Sequence, residues 1–335
     1  SITALGELLV DFTPAGISPQ GRPMYTENPG GAPANVLISA VRQGSEGALI
    51  ACVGDDPLGK GLINVLGQNG IETSGIQTVR HAFTTLAFVR LDAHGERDFC
   101  FCRHPGADTQ LEIAAIDPAL ITQSHIFHFG SLSLSEEGSA RATWHGVDIA
   151  RQAGKLISFD PNWRDAIWTE RETGLVAVRK GIAAASLLKL SETELPLATE
   201  NKNPVSATQQ LLSQHTSLQL AVVTLGAQGC YYRTRRFDGW IPGYATHAVD
   251  TTGAGDCVVR CVLATIDQRP GLCETGSHGA LEESLQYACR AASCCVEEPG
   301  PMAALATRSA VSEQPCTLGQ TGSMVLLHTQ PNVDY

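Results

Sequence analysis

A carboxylate set directly behind three small residues is where the chain most plainly offers chemistry: Gly253-Ala254-Gly255-Asp256, within AVDTTGAGDCVV, residues 248–259. Glycine and alanine permit a tight turn that brings backbone N–H groups together. A helix beginning near Asp256 would point the positive end of its dipole the same way, so an anion would be held there. A carboxylate beside that anion can take the proton of an attacking hydroxyl, as phosphoryl transfer to an alcohol requires. The same residues also suit a plain helix N-cap after a glycine-rich turn, so the spacing alone leaves both readings open.

Two other clusters invite a chemical reading and lose it. GDDPLGKG, residues 54–61, nearly spells a phosphate-binding P-loop after a strand-like run. Its last position is Gly61 rather than the Ser or Thr that would hold Mg²⁺, and Asp55 and Asp56 would repel phosphate. His125 and His128 read as core or sheet-face histidines rather than metal ligands. Eleven cysteines, with no CxxC pair, make neither a disulfide framework nor a zinc site; buried free thiols in a reducing cytoplasm are the expectation.

The elements that must position Asp256 are legible as alternation. Short apolar runs at Ile2–Val10, Gly47–Val53, His125–Phe129, Lys155–Phe159, Leu187–Leu190 and Leu220–Leu225 read as strands. Helical patterns separate most of them, as at Ala34–Gln43, Leu58–Asn69, Ser139–Gln152 and Ser206–His215. Strand–helix alternation implies a mostly parallel sheet covered on both faces. Phe12–Asn28, rich in Pro and Gly, and Thr84–Arg103, read as a hairpin turning at Asp92–Glu96, break the pattern and could form a small β lid. The tail after about Ser309 is polar and is expected to be peripheral.

Length and charge bound the rest. The 335 residues fit one large α/β domain with a small appendage as well as they fit two domains. A net charge of −11 argues against nucleic acid or an anionic membrane surface as partner. No apolar run is long enough to span a bilayer. The opening SITALGELLVDF reads as a strand rather than a targeting segment, so the cytoplasm is the expected compartment.

DTTGAGD resembles the second signature of the PfkB sugar kinases, and NPGGAPANV, residues 28–36, resembles the first. GELLVDF resembles the family's opening strand. The pieces stand in the family's order from about residue 2 to about residue 308. The resemblance implies a ribokinase-like three-layer α/β/α sandwich with a small β-sheet lid, over residues 1–310. Lid strands would come from about 12–30 and 84–105, with 311–335 as a peripheral tail. It implies ATP as phosphoryl donor, Mg²⁺, and K⁺ as a further candidate ion. It further implies a sugar as acceptor and a homodimer built through the lid.

Roles follow by the same resemblance. Asp256 would be the base, and Gly253, Ala254 and Gly255 the anion hole. Asp11, Gly31 and Asn35 would hold the sugar, joined by Asp160 and Asn162 of FDPNWR (159–164). Lys189, Ser191 and Glu194 of KLSETE would lie on the nucleotide side, with Glu194 reaching Mg²⁺ through water. Thr224, Gly226 and Gly229 of TLGAQG would line ATP, as would Gly253 and Gly255. Asp250 and Thr252 would hold K⁺. GERDFCFCRHPGAD (95–108) and IFHFGSLSL (126–134) resemble fructokinase segments, which bring Arg97 and Arg103 to the sugar or its phosphate. Fructose is therefore favoured. A kinase for 2-keto-3-deoxygluconate or a riboside, or a non-catalytic sugar- or nucleotide-binding homologue, are the alternatives.

Three departures from the family pattern stand out. Cys257-Val258-Val259-Arg260-Cys261 follows GAGD where the family usually has A-F-x-x-G, so an unusual Arg stands one turn inside that helix. Cys289 stands where an Asn commonly meets the nucleotide, and Pro301 replaces a small residue.

Overall fold

Every residue of Leu49-Ile50-Ala51-Cys52-Val53 is buried, yet alternate side chains enter different cores. Leu49, Ala51 and Val53 join one apolar cluster, and Ile50 and Cys52 the other. Leu220–Val223 divides in the same way. A strand buried on both faces has to be apolar at every position, and its period of two then sorts residues between two helix layers.

The computed structural model describes residues 1–91, 97–244 and 254–295. In chain order the elements begin β1 (Ile2–Leu5), β2 (Leu9–Ile17), β3 (Pro23–Gly30), α1 (Ala32–Arg42), β4 (Gly47–Gly54), α2 (Pro57–Gln68), β5 (Ile71–Glu72), β6 (Ile76–Val79), β7 (Leu86–Leu91) and β8 (Arg97–Cys102). They continue through α3 (Pro118–Thr122), β9 (Ile126–Gly130), α4 (Glu137–Gln152), β10 (Leu156–Asp160), α5 (Arg171–Ala184) and β11 (Leu187–Ser191). The last are α6 (Leu195–Thr199), α7 (Pro204–Gln214), β12 (Leu220–Thr224), β13 (Gly229–Thr234), β14 (Asp238–Pro242), α8 (Ala254–Gln268) and α9 (His278–Cys295).

The main sheet runs β14-β13-β12-β11-β10-β9-β1-β4-β5, with β6 also paired to β4. Its pairs are parallel except β12–β13 and β13–β14. Helices α1, α2, α8 and α9 cover one face, and α4, α5 and α7 the other. This is the expected three-layer sandwich. A second sheet, β3-β2-β7-β8, is the expected lid. Its centre pair, β2–β7, is parallel because the two strands belong to separate excursions of the chain.

Ile2–Val10, expected as one strand, is two. β1 ends at Leu5, the chain turns through Gly6-Glu7-Leu8, and β2 starts the lid. The turn lets the buried Glu7 side chain leave the sheet for a backbone partner on α1. Cys52, Cys230, Cys261, Cys273 and Cys289 are free and buried, as expected, but Cys100 and Cys102 are exposed. Both stand on the solvent side of β8, an edge strand of the lid. The hairpin turn at Asp92–Glu96, Pro301 and the C-terminal tail lie outside the described residues.

Candidate active site

Asp11 lies in β2 opposite Asn28 of β3. The next residues, Gly30 and Gly31, set how closely the first signature can approach it. A Cβ on Gly30 would collide with the Asp11 carboxyl. Gly31 is the N-cap of α1 with φ +114°, and a Cβ there would strike the Glu7 carbonyl. Only glycine adopts this backbone cheaply. One turn on, Asn35 is 5% exposed, and its Oδ1 has no hydrogen-bond partner among the described residues. A buried acceptor left unmet costs about 1–3 kcal/mol, so the position suits a ligand that brings a hydroxyl donor.

Glu7 holds this loop from below. Its Oε1 accepts the Ala32 N–H at 2.9 Å. Burial pushes the carboxyl up to about 7, against the lowering pull of the N–H groups of Glu7 and Ala32; Asp108 raises it further and Arg103 lowers it.

Arg103, expected near the sugar or its phosphate, is held by partners within the protein. It is buried at the foot of β8, its guanidinium 2.7 Å from Asp108. It also donates to Ser135 Oγ at 2.6 Å and to the Leu132 carbonyl at 3.1 Å. Thr85 Oγ1 donates to the other Asp108 oxygen. The side chain thus joins the lid root to the loop after β9, and its charge is met inside the protein. Arg97 opens β8 opposite Leu91.

The C-terminal ends of β10, β11 and β12 collect the next group. Asp160 ends β10, where its Oδ1 accepts from Lys189 Nζ at 3.2 Å and from the Asn162 N–H at 3.2 Å. Asn162 takes the left-handed conformation, φ 44°. Lys189 is buried beneath α8, near Val258 and Val259. Glu194 is buried with both oxygens occupied: Oε1 accepts the Trp163 N–H at 2.7 Å and Oε2 the Ser191 N–H at 2.8 Å. One carboxylate therefore ties the FDPNWR loop to the end of β11. Thr224 ends β12, and Gly226 and Gly229 bound the turn into β13.

Ala254, Gly255 and Asp256 form the first turn of α8, a helix of 15 residues. The C-cap of α1, Gln43, meets Cys261 Sγ at 3.4 Å and accepts from Gln268 at 2.7 Å. The C-terminal end of α1 therefore packs against the C-terminal half of α8. Gly253, Asp250 and Thr252 lie outside the described residues. Arg260 is 1% exposed, an interior rather than a surface charge. Cys289, expected against the nucleotide, is 5% exposed, and its thiol packs 3.5 Å from that of Cys230, turned into the core between α9 and β13.

The false P-loop is structural. Asp56 caps α2, accepting the Gly59 N–H at 2.8 Å and the Thr84 N–H at 2.8 Å. His128 is buried against Ser158 Oγ at 2.9 Å, while His125 sits 2.9 Å from Asp267.

A sequence model of the pfkB family of carbohydrate kinases matches residues 1–308. The chain belongs to that family. Fructokinase-2 of Solanum lycopersicum is 37% identical over 310 residues, 92% of this chain and 94% of that protein. A Xylella fastidiosa fructokinase structure with bound ATP superposes with a TM-score of 0.84 at 30% identity, covering 93% of this chain and 96% of that one. A Vibrio cholerae O395 fructokinase with fructose, ADP and calcium gives 0.84 at 28% identity, over 93% and 98%.

Within this pfkB-family chain, sequence reasoning missed Glu7, Asp108 and the Trp163 peptide. Glu7 carried a signal, an acid inside an otherwise apolar run. The Trp163 N–H carried none, since backbone donors are invisible in residue types. Among the described residues no group of three or more His, Cys, Asp or Glu is placed to hold a metal. No helix among them is long and apolar enough to cross a membrane.

Proposed function

We propose that the chain transfers the γ-phosphoryl group of ATP to D-fructose, giving fructose 6-phosphate and ADP. The observation that carries this reading is the entry into α1, where Gly30 lies against the Asp11 carboxyl of the lid and Asn35 keeps an unmet buried acceptor. This helix packs on α8, the helix that opens with Ala254-Gly255-Asp256.

Asp11, Gly31, Asn35, Asp160 and Asn162 hold the sugar. Asp256 takes the proton of the attacking hydroxyl, and the N–H groups of Gly253, Ala254 and Gly255 meet charge on the transferring group. Ser191, Thr224, Gly226 and Gly229 line the nucleotide, and Lys189 keeps Asp160 in place. Glu194, with both oxygens already oriented by N–H donors, has lone pairs left for the water shell of Mg²⁺. When bound, that ion offsets phosphate charge. Asp250 and Thr252 are the residues for K⁺.

The choice of a neutral sugar over a sugar acid such as 2-keto-3-deoxygluconate is supported by Arg103. Its charge is met by Asp108, so it does not offer a free cation to a carboxylate. We take residues 1–310 as the kinase domain and the cytoplasm as its place of work. A second copy of the chain is the proposed partner, through the lid face that carries Phe12, Phe88 and the half-exposed Tyr25.

The test is ADP release with Mg-ATP against fructose, glucose, ribose, 2-keto-3-deoxygluconate and adenosine, with and without K⁺. Release with fructose and not with the others is expected. Release with another acceptor replaces the substrate, and release with none overturns the kinase reading.

A further inference from the structure

The lid touches the body of the protein through an arginine on the loop after β10. Arg164 follows Trp163, and its guanidinium carbon lies 5.2 Å from the centre of the Phe99 ring on β8. Phe99 in turn stacks on Phe101 of the same strand, with ring centres 6.0 Å apart. Register places these two rings on the working face of the lid: Asp11, Ala87 and Phe101 form one row across β2, β7 and β8, while Phe12, Phe88 and Cys100 point the other way.

The other end of the contact reaches the phosphate side. Arg164 Nη1 donates to the Trp163 carbonyl at 2.9 Å, and the Trp163 N–H is one of the two donors on Glu194. A short path therefore runs from the outer lid strand, through Arg164 and the Trp163 peptide, to the carboxylate that ties β10 to β11. Behind it the loop is stiffened, since Trp163 stacks on Trp168 at 5.4 Å and Arg171 lies over Trp163 at 5.7 Å.

We propose that Arg164 is a positioning residue that clasps the lid's outer strand through Phe99, fixing the lid over the acceptor hydroxyl and keeping water from competing for the phosphoryl group. This rests on the sugar-kinase reading above. A guanidinium over an aromatic face is suited to the task. It holds by attraction to the ring rather than by a directed hydrogen bond, so it tolerates the small movements that admit and release ligands. A lid held a little too loosely costs orientation of the reacting groups and admits water.

The experiment compares the full chain with Arg164→Gln, Phe99→Leu and the double variant. Hydrogen exchange of the β8 amides is measured without ligands. In both single variants exchange is expected to speed up, with the double variant no faster than the faster single. Steady-state assays then read KM for sugar, KM for ATP, and ATP hydrolysed without sugar relative to sugar phosphorylated. A contact of this kind is worth about 0.5–2 kcal/mol, so a rise of roughly two- to thirtyfold in sugar KM, with a higher share of sugar-independent hydrolysis, is expected in either single variant.

If Phe99→Leu changes neither β8 exchange nor the hydrolysis ratio while Arg164→Gln changes the kinetics, Arg164 acts on a ligand directly and the clasp is refuted. If both variants lower thermal stability with every kinetic ratio unchanged, the contact is only structural and the proposal also fails. Should the unaltered chain phosphorylate none of the sugars, the functional reading falls alone. The exchange measurement still decides whether Arg164 and Phe99 hold β8.

Discussion

Replacing Asp256 by Asn keeps the side chain's shape and removes its ability to take a proton. Turnover with the preferred sugar is expected to fall by at least about 10²-fold, with ATP binding and melting temperature preserved. Near-normal turnover in a well-folded variant would remove Asp256 from the role of base. Glu7 makes a separate prediction. Its carboxyl moves from the usual 4.5 to about 7 in the folded chain, chiefly through burial. Below the lower value it is protonated whether the chain is folded or not. Between the two only the folded chain keeps the proton, so stability falls as pH rises through this window and levels off above it. Glu7→Gln keeps an acceptor for the Ala32 N–H and should flatten that decline, read as melting temperature between about pH 5 and about pH 8. A slope as steep as that of the unaltered chain would show that other groups set it. Asp11, Asn35, Asp160 and Glu194 came from the motif resemblance rather than from residue types alone. The partners of Arg103 and Cys289 were not legible, since the sequence does not say that Asp108 lies within reach of the one or that Cys230, distant along the chain, meets the other.

At the scale of elements, the entry into α1 is the tightest point of the site. Gly31→Ala would force a Cβ against the Glu7 carbonyl at a φ that side chains avoid. A cost of about 1–3 kcal/mol in stability is expected, with a higher KM for sugar and a smaller change in KM for ATP. Equal changes in both constants would mean that the loop does not serve the sugar alone. The helices over Ala34–Gln43, Leu58–Asn69, Ser139–Gln152 and Ser206–His215 were legible to within about two residues, because each carries an apolar face at helical spacing. Strands β1, β4, β9, β10, β11 and β12 of the main sheet were legible from their unbroken apolar runs, whereas the short or more polar β5, β6, β13 and β14 were not. The break between β1 and β2 was not. Both halves are apolar and extended, and only the tertiary demand of Glu7 for the Ala32 N–H separates them. Nor was the parallel pairing of β2 with β7, which joins segments far apart in sequence.

For the whole molecule, the lid is a four-stranded sheet with a face to spare. Tyr25 is 44% exposed, with its ring edge-on to Phe88, which stacks on Phe12. If two copies pair through this face, sedimentation of the unaltered chain gives a dimer, and Tyr25→Asp shifts it toward monomer without unfolding it. A monomer at the same concentration in the unaltered chain would remove the lid as an interface. Global architecture was the most legible feature of all, because alternation of strand and helix constrains a parallel sheet so strongly. The net charge of −11 supplied an expectation against nucleic-acid and membrane partners and none about what binds.

The stacked pair Trp163 and Trp168 has a practical side. Of four tryptophans in the chain, these two share one loop, their rings 5.4 Å apart and nearly parallel at 11°. The other two report elsewhere: Trp144 packs on Phe129 under Lys180, and Trp240 on Tyr231. Indole emission is sensitive to neighbouring rings and charges, and the Trp163 peptide is bonded to Glu194 while Arg164 holds the lid. The unlabelled protein thus carries an optical probe at the junction of its two sheets. With Trp144 and Trp240 changed to Phe, fluorescence recorded in a stopped-flow instrument would follow that junction in real time as nucleotide and sugar arrive.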